Sequence, residues 1–447
     1  MRLLLEIFLF LGIFFPLFHI LNVLLSIKRG KKNIKKNIIR PVTILIPCYN
    51  EEKIIKNTIE GLLRIEYDNF ECIFINDGSS DNTLKEFKSI LKLKETKRKR
   101  RHNLDSYNMK CIYRSELYPN MYLIDKNNGG KSDALNLGIN YSKNKYIVTL
   151  DADSILKPDA LSLVSKTFDD KNVVAASGVI QILQSFNLSQ KKAKTTFKIK
   201  LLLRLQAIEY IKSCFCYKAS LAKLESLLVI SGAFGIFRKD ILLDVGGFSH
   251  TIGEDLDLTL KIQFHIQDTN KKIVYVPEAI CYTEGPETFK DLIKQRKRWQ
   301  KSFIEALINF RKRLFKDTLT KPLPFFMIVD ALVIGVLSSF IIVVFTILVI
   351  DNIMNNTLSN IALYFYIFIS VHLTYNVVGL FIAYFYNVRY KGLDNIRIVT
   401  TIILDLVVYR IIILYTIIVG TISYFTEKNE WNKVDRSGHN YNVLKKD

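Results

Sequence analysis

The sequence predicts an α/β domain built on a mixed, mostly parallel sheet with helices on both faces, flanked by transmembrane helices. Three observations carry that expectation. Between residues 41 and 287 short β-rich runs alternate with helical ones, the pattern of a sheet with crossover helices. On either side the chain carries long runs without a formal charge. Carboxylates follow directly on two of the expected strands, at the edge where open α/β sheets receive ligands.

The 447 residues are 49% hydrophobic and 23% charged, with a mean hydropathy of +0.16. A chain this rich in large apolar residues is not disordered, and the bunching of those residues argues against an ordinary soluble protein. Lys and Arg number 63 against 42 Asp and Glu, a net charge of +21. That excess favours anionic partners: lipid headgroups, nucleic acid or phosphorylated substrates. Position along the chain decides among them.

Residues 1–27 contain an uncharged run from Ile7 to Ile27, close to the roughly 20 apolar residues that span a bilayer. A cleaved signal peptide has an apolar core of only about 7–15 residues, so the run reads as an anchor. Residues 28–40 form a basic linker carrying Lys28, Arg29, Lys31, Lys32, Lys35, Lys36 and Arg40, which by the positive-inside rule places the next domain in the cytosol. That domain, 41–287, should open with strands at Val42–Ile46 and Glu71–Ile75. A helix over Glu51–Arg64 joins them, with Ile54, Ile55, Ile59, Leu62 and Leu63 at helical spacing. The basic run Lys92–Arg101 has no apolar face and reads as a solvated, partly mobile loop. Further strands are expected at Met121–Ile124 and Tyr146–Leu150, with a short helix, Ser132–Tyr141, between them.

Residues 288–324 read as an amphipathic interfacial segment suited to anionic lipid. The region 325–426 then offers two or three spans. Ala331–Ile350 and Ile361–Val388 are uncharged, and the loop Asp351–Asn360 between them lacks Lys and Arg. A last apolar stretch, Ile398–Phe425, is interrupted by Asp405 and Arg410. The basic tail, 427–447, favours the cytosol by charge and the outside by span count. The six cysteines show neither CxxC nor Cys/His spacing and read as reduced structural thiols.

The chemistry gathers at strand ends. Asp77 follows the strand ECIFI in NDGSSD, and Asp151 and Asp153 follow YIVTL as DAD. Alternate residues of an extended segment point the same way, so the last two can face one ligand. Hard divalent cations prefer such oxygens, and Mg²⁺ uses one or two carboxylates plus substrate phosphates. In KNNGGKSDALN the two glycines permit close backbone approach and Lys131 offers a cation, a loop that suits a diphosphate, although it lacks the Walker spacing. Glu254 and Asp255 stand just before an amphipathic helix, where acids also serve as caps. QRKRW at Gln295–Trp299 collects donors and an indole ahead of the C-terminal apolar runs.

In this order PCYNEE (Pro47–Glu52), NDGSSD, NGGK, DAD, GED and QRKRW resemble the membrane-integrated family 2 glycosyltransferases, which include cellulose, hyaluronan, chitin-oligosaccharide and poly-N-acetylglucosamine synthases. SGAFG and EWNKVDRSG bring the chain nearest to bacterial poly-β-1,6-N-acetylglucosamine synthase-like proteins. The resemblance covers roughly residues 40–315. It implies a GT-A-like fold and an inverting, Mg²⁺- or Mn²⁺-dependent hexosyltransferase using a UDP-sugar, with UDP-N-acetylglucosamine first and UDP-glucose next. By the same resemblance Asp77 meets the uridine, Asp151 and Asp153 hold nucleotide and metal, and Asp255 is the general base. Lys131 joins the nucleotide-sugar contacts. Gln295 and Arg298 close over the diphosphate, while Trp299 and Glu254 meet the acceptor. The implied partners are a polysaccharide or lipid acceptor, anionic membrane lipids and an accessory membrane subunit, with no nucleic acid. The implied location is the plasma membrane, multi-pass, with the catalytic domain cytoplasmic. The chain departs from the family in GED for TED, in one N-terminal span rather than two, and in the inserted KRKRR.

Three readings compete. A processive polysaccharide synthase accounts for QRKRW. A transferase adding one sugar to a lipid accounts for the rest. A transporter or nucleic-acid-binding membrane protein accounts for charge and spans but leaves the ordered strand-end acids unexplained.

Overall fold

The strands form where the sequence concentrates β-branched and aromatic residues. In chain order they are β1 (Val42–Cys48), β2 (Phe70–Asp77), β3 (Leu93–Glu95), β4 (Met109–Ser115), β5 (Met121–Lys126), β6 (Tyr146–Leu150), β7 (Ser154–Leu156), β8 (Val173–Ile182), β9 (Phe186–Asn187), β10 (Lys194–Thr195), β11 (Phe234–Arg238) and β12 (Lys272–Thr283). This computed structural model describes residues 2–25, 39–188, 193–337, 339–340, 359–427, 438 and 441. The basic linker to residue 38, residues 338 and 341–350 of the second apolar run, most of the loop after it and nearly all of the tail lie outside them.

Ten strands make one mixed sheet in the order β3-β4-β5-β2-β1-β6-β11-β8-β12-β7, and β9 pairs with β10 apart from it. The parallel pairs are β5/β2, β2/β1, β1/β6 and β8/β12; the others are antiparallel. The block β5-β2-β1-β6 therefore sends four carboxyl ends to one edge. β1 and β2 are buried on both faces, which is why they read as continuous apolar runs rather than alternating ones. The Lys131–Tyr141 helix lies directly over them: a Cβ at Gly138 would come within 2.9 Å of Leu45.

Two local expectations change. The helix expected over Glu51–Arg64 starts at Ile55 rather than Glu51, because Asn50–Glu52 bonds outward: Glu51 N–H to Thr83 Oγ1 (2.8 Å), and Glu52 Oε2 from Asn82 N–H (3.0 Å). The basic run 92–101 is a solvated loop only in part: Lys97, Lys99 and Arg101 are exposed and outside regular structure, but two features tie the run down. It supplies edge strand β3, and Arg98 donates to both carboxylate oxygens of the buried Glu71 at 2.9 Å while covering the Tyr122 ring. A guanidinium that neutralises a buried acid is fixed, whatever the composition around it.

The chain divides into two compact units. One, the sheet unit, gathers Lys32–Thr196, Val229–Gly285 and Asp435–Asp447; the other, the helical unit, gathers Met1–Lys31, Phe197–Leu228 and Pro286–Val434. The 41–287 stretch is thus interrupted, with Phe197–Leu228 grouped among the helices.

In the helical unit, Arg2–Leu24 is the first helix, Leu201–Lys212 runs on into a wider turn at Ser213–Lys218, and Phe289–Asp317 carries QRKRW. Leu393–Thr426 is continuous and long and apolar enough to cross a membrane. Phe289–Asp317 and Pro322–Leu337 meet at a bend of 118°, with proline opening the second piece. Phe10–Leu24 and Ile369–Phe385 are shorter apolar helices. Asp405 does not break the last helix. Its carboxylate accepts from Lys212 Nζ (2.6 Å) and Asn376 Nδ2 (3.2 Å), so the charge is matched inside apolar surroundings.

Candidate active site

At the carboxyl ends of β2 and β6 the sheet unit collects its charged side chains. Gly78 follows Asp77 with φ +67°, and a Cβ there would lie 2.5 Å from Asn128 N. Only glycine permits that turn. Beyond it Asn50 Oδ1 accepts from Ser80 N–H (2.8 Å) and Asn50 N–H donates to Ser79 Oγ (3.0 Å), so PCYNEE and NDGSSD clasp each other.

Asp77, expected at a uridine, has its carboxylate bonded within the protein. It is 3% exposed, and its carboxylate accepts from Gly129 N–H (3.0 Å), Gly130 N–H (2.8 Å), the Asn128 amide (3.3 Å) and the Lys126 ammonium. The reason is the loop just before the Lys131–Tyr141 helix: the Gly129 and Gly130 N–H groups turn back to the end of β2 and hold the Asp77 carboxylate. In the loop expected to suit a diphosphate, the Gly129 and Gly130 N–H groups are thus bonded inside the protein.

Lys131 does reach the edge. Its ammonium lies 2.7 Å from Asp151 and 2.8 Å from Glu254, and its side chain is 21% exposed. Burial lowers its pKa, but Asp151, Glu254 and Asp255 outweigh that and hold it above the ordinary lysine range. Glu254 and Asp255 lie in the first turn of the Glu254–Ile266 helix rather than before it, where the helix dipole favours carboxylates. Asp255 accepts from Gly232 N–H (3.1 Å) and from Leu256 N–H (2.9 Å). A Cβ at Gly232 would come 2.9 Å from Lys131 Nζ, so SGAFG both holds Asp255 and leaves room for the ammonium.

The DAD segment is a turn, not an extended tail, and its two carboxylates separate. Asp151 meets Lys131, whereas Asp153 is buried and accepts from Ser154 (3.1 Å) and Thr283 (3.2 Å) hydroxyls. Among the described residues no group of three or more His, Cys, Asp or Glu side chains is gathered as a metal shell. Asp151, with a side chain 31% exposed, still fits a Mg²⁺- or Mn²⁺-type ion, which needs only one or two carboxylates when phosphates complete the shell.

Gln295, Arg298 and Trp299 belong to the helical unit. Gln295 is buried and accepts from Arg296 (3.0 Å); Arg298 is half-buried; Trp299 is 41% exposed, with the Arg296 guanidinium 4.1 Å from its ring centre. Arg296 in turn donates to Glu209 (2.6 Å), which also accepts from Tyr409. Sequence reading missed Arg296, Glu209 and Lys126. For Lys126 a signal existed, since it stands opposite Asp77 in the β2/β5 register.

The fold and this edge define a glycosyltransferase. A profile described as glycosyl transferase family 2 matches residues 43–246, and one described as glycosyl transferase family group 2 matches residues 146–418, more than half the chain. The chain belongs to the family 2 glycosyltransferases. It is 30% identical over 318 residues to the poly-β-1,6-N-acetyl-D-glucosamine synthase of Staphylococcus aureus strain COL, across 70% of this chain and 66% of that one. To the synthase of the same name from Staphylococcus epidermidis it is 28% identical over 357 residues, covering 78% and 76% of the two chains. Its fold is similar to that of a mannosyltransferase from Pyrobaculum calidifontis solved with GDP-Man and Mn²⁺, with a TM-score of 0.51, 15% identity and coverage of 94% and 99%.

Proposed function

We propose that the protein transfers a sugar, N-acetylglucosamine first, from a UDP-sugar to a growing polysaccharide at a membrane, with inversion at the anomeric carbon. The observation that carries this is the convergence of Lys131, Asp151, Glu254 and Asp255 at one sheet edge. A sugar hydroxyl is a poor nucleophile, and Asp255, oriented by two backbone N–H groups, is the carboxylate to take its proton, a contribution of roughly 10²–10⁴-fold. Inversion needs that single base and no covalent intermediate. Lys131 meets the negative charge of the departing diphosphate. A divalent ion held by Asp151, with Asp153 beside it in sequence, would add charge neutralisation at the same group. Asp77 acts on the donor through the loop it holds.

The relatives named for a poly-β-1,6-linked polymer support a polymeric product. QRKRW supports it further, since Trp299 presents an exposed indole face on which a pyranose can stack. The long apolar helix Leu393–Thr426 supports a membrane location, and the cations of residues 28–40 support a cytoplasmic sheet unit and a multi-pass plasma-membrane protein. The test is to incubate membranes bearing the protein with a panel of labelled UDP-sugars and Mg²⁺. High-mass polymer from UDP-N-acetylglucosamine is expected. Label only in the lipid extract would mean single-sugar transfer, and no turnover of any nucleotide sugar would overturn the reading.

A further inference from the structure

We propose that Lys126 is a positioning residue for sugar transfer, a second lysine that never meets substrate but sets where Lys131 stands. The inference rests on the reading that Lys131 meets the donor diphosphate. Lys126 ends β5 and is 0% exposed, a rare state for lysine unless it is paired. Here it is paired twice. Its ammonium contacts Asp77 Oδ1 and lies 2.6 Å from Asp133 Oδ1, and it donates to the Asn127 carbonyl at 2.6 Å.

Each carboxylate then fixes a different part of the same turn. Asp77 accepts from Gly129 and Gly130 N–H. Asp133, in the first turn of the following helix, accepts from Tyr107 N–H at 2.7 Å. A Cβ on Gly129 would come within 2.7 Å of both Asp133 Cγ and the Tyr107 ring, so the turn is closed in from both sides. Lys131 follows Gly130 directly and begins the helix. Its backbone is therefore placed by Lys126 acting through Asp77, Asp133 and two glycines. Without the ammonium, two buried carboxylates would face each other uncompensated. They would separate or take up protons, and the turn carrying Lys131 would lose its anchor.

The experiment uses the full-length protein in detergent, with UDP affinity, donor KM, kcat and thermal unfolding measured on each variant. Lys126→Met should lose stability and UDP affinity together. Lys126→Met combined with Asp133→Asn has the same cluster charge as the unaltered protein and should regain most of the stability. Its UDP affinity should nevertheless stay down by roughly 10- to 100-fold, the cost of a misplaced binding group, with donor KM raised more than kcat is lowered. Lys126→Arg should lie between. Recovery of UDP affinity along with stability in the double variant would overturn the proposal, since a merely structural lysine predicts that result. So would a fall in kcat with donor KM unmoved. An unaltered protein that binds no UDP would instead overturn the donor reading, and this inference with it.

Discussion

Lys131 in the sheet unit and Lys212 in the helical unit are both ammonium groups held against carboxylates, and they differ in what else can reach them. Lys131 stands among Asp151, Glu254 and Asp255 with its side chain 21% exposed and that of Asp151 31% exposed. Lys212 and Asp405 are exposed by only 8% and 2%, with the Asn376 amide completing the pair. An open cluster has more anions than cations and can exchange a protein partner for a ligand. A closed pair leaves nothing to exchange and serves to keep helices in register. Charge alone does not separate a site from a strut; exposure and charge balance do.

The largest effect should come from the open cluster. Asp255→Asn keeps the shape but removes the proposed base, and its amide can accept only one of the two backbone N–H bonds that Asp255 takes, so turnover should fall by roughly 10²–10⁴-fold. UDP affinity should scarcely move, and the unfolding midpoint should drop only by what one lost hydrogen bond costs. Steady-state kinetics beside UDP binding decides it: retention of more than about a tenth of the activity would remove Asp255 from the base role and weaken the contrast itself.

The closed pair predicts the reverse division. Lys212→Met strands the Asp405 carboxylate among apolar helices, and breaking a buried pair this way costs about 3–5 kcal/mol. Lys212→Met with Asp405→Leu should recover most of that loss, because a buried pair replaced by apolar residues is often neutral. Denaturant unfolding in detergent measures both. A Lys212→Met protein as stable as the original but without turnover would make the pair a functional site and erase the distinction.

The same contrast explains what the sequence made legible. Strands could be read because β1, β2, β5 and β6 are short apolar runs with polar ends, and Tyr146–Leu150 falls where it was expected. Lys131, Asp151, Glu254 and Asp255 could be read because an open site is built from residue types that are conspicuous at strand and helix ends. Asp77 was conspicuous too, yet its role turned on tertiary structure: two glycine N–H groups from fifty residues away reach it first. Arg98 was misread for the same reason, since its partner Glu71 lies on a neighbouring strand. Closed pairs leave no local trace. Asp405 looked like an interruption because its cation stands in Leu201–Lys212, within a stretch whose average composition is that of a soluble domain.

More exposed than either is Glu427, and it should give the smallest effect. It accepts from Lys297 (2.6 Å) and Lys301 (3.1 Å) beside the QRKRW segment, with its side chain 48% exposed. Hydrogen bonds from Lys297 and then Lys301 pull its pKa down to about 2. A carboxyl depressed in the folded state contributes its stability above the unfolded value of about 4.3 and loses it as pH falls toward the folded value. Because solvent screens a group this exposed, the contribution at neutral pH should be only about 0.2–1 kcal/mol, and less at high salt. Unfolding free energies of the unaltered protein and Glu427→Gln should therefore differ slightly at pH 7 in low salt. The gap should close as pH drops from about 4.3 toward 2, with turnover unchanged at neutral pH. A larger gap that salt leaves intact would place Glu427 with the closed pairs. A loss of turnover without a loss of stability would place it with the open cluster, and exposure would then no longer be the property that sorts them.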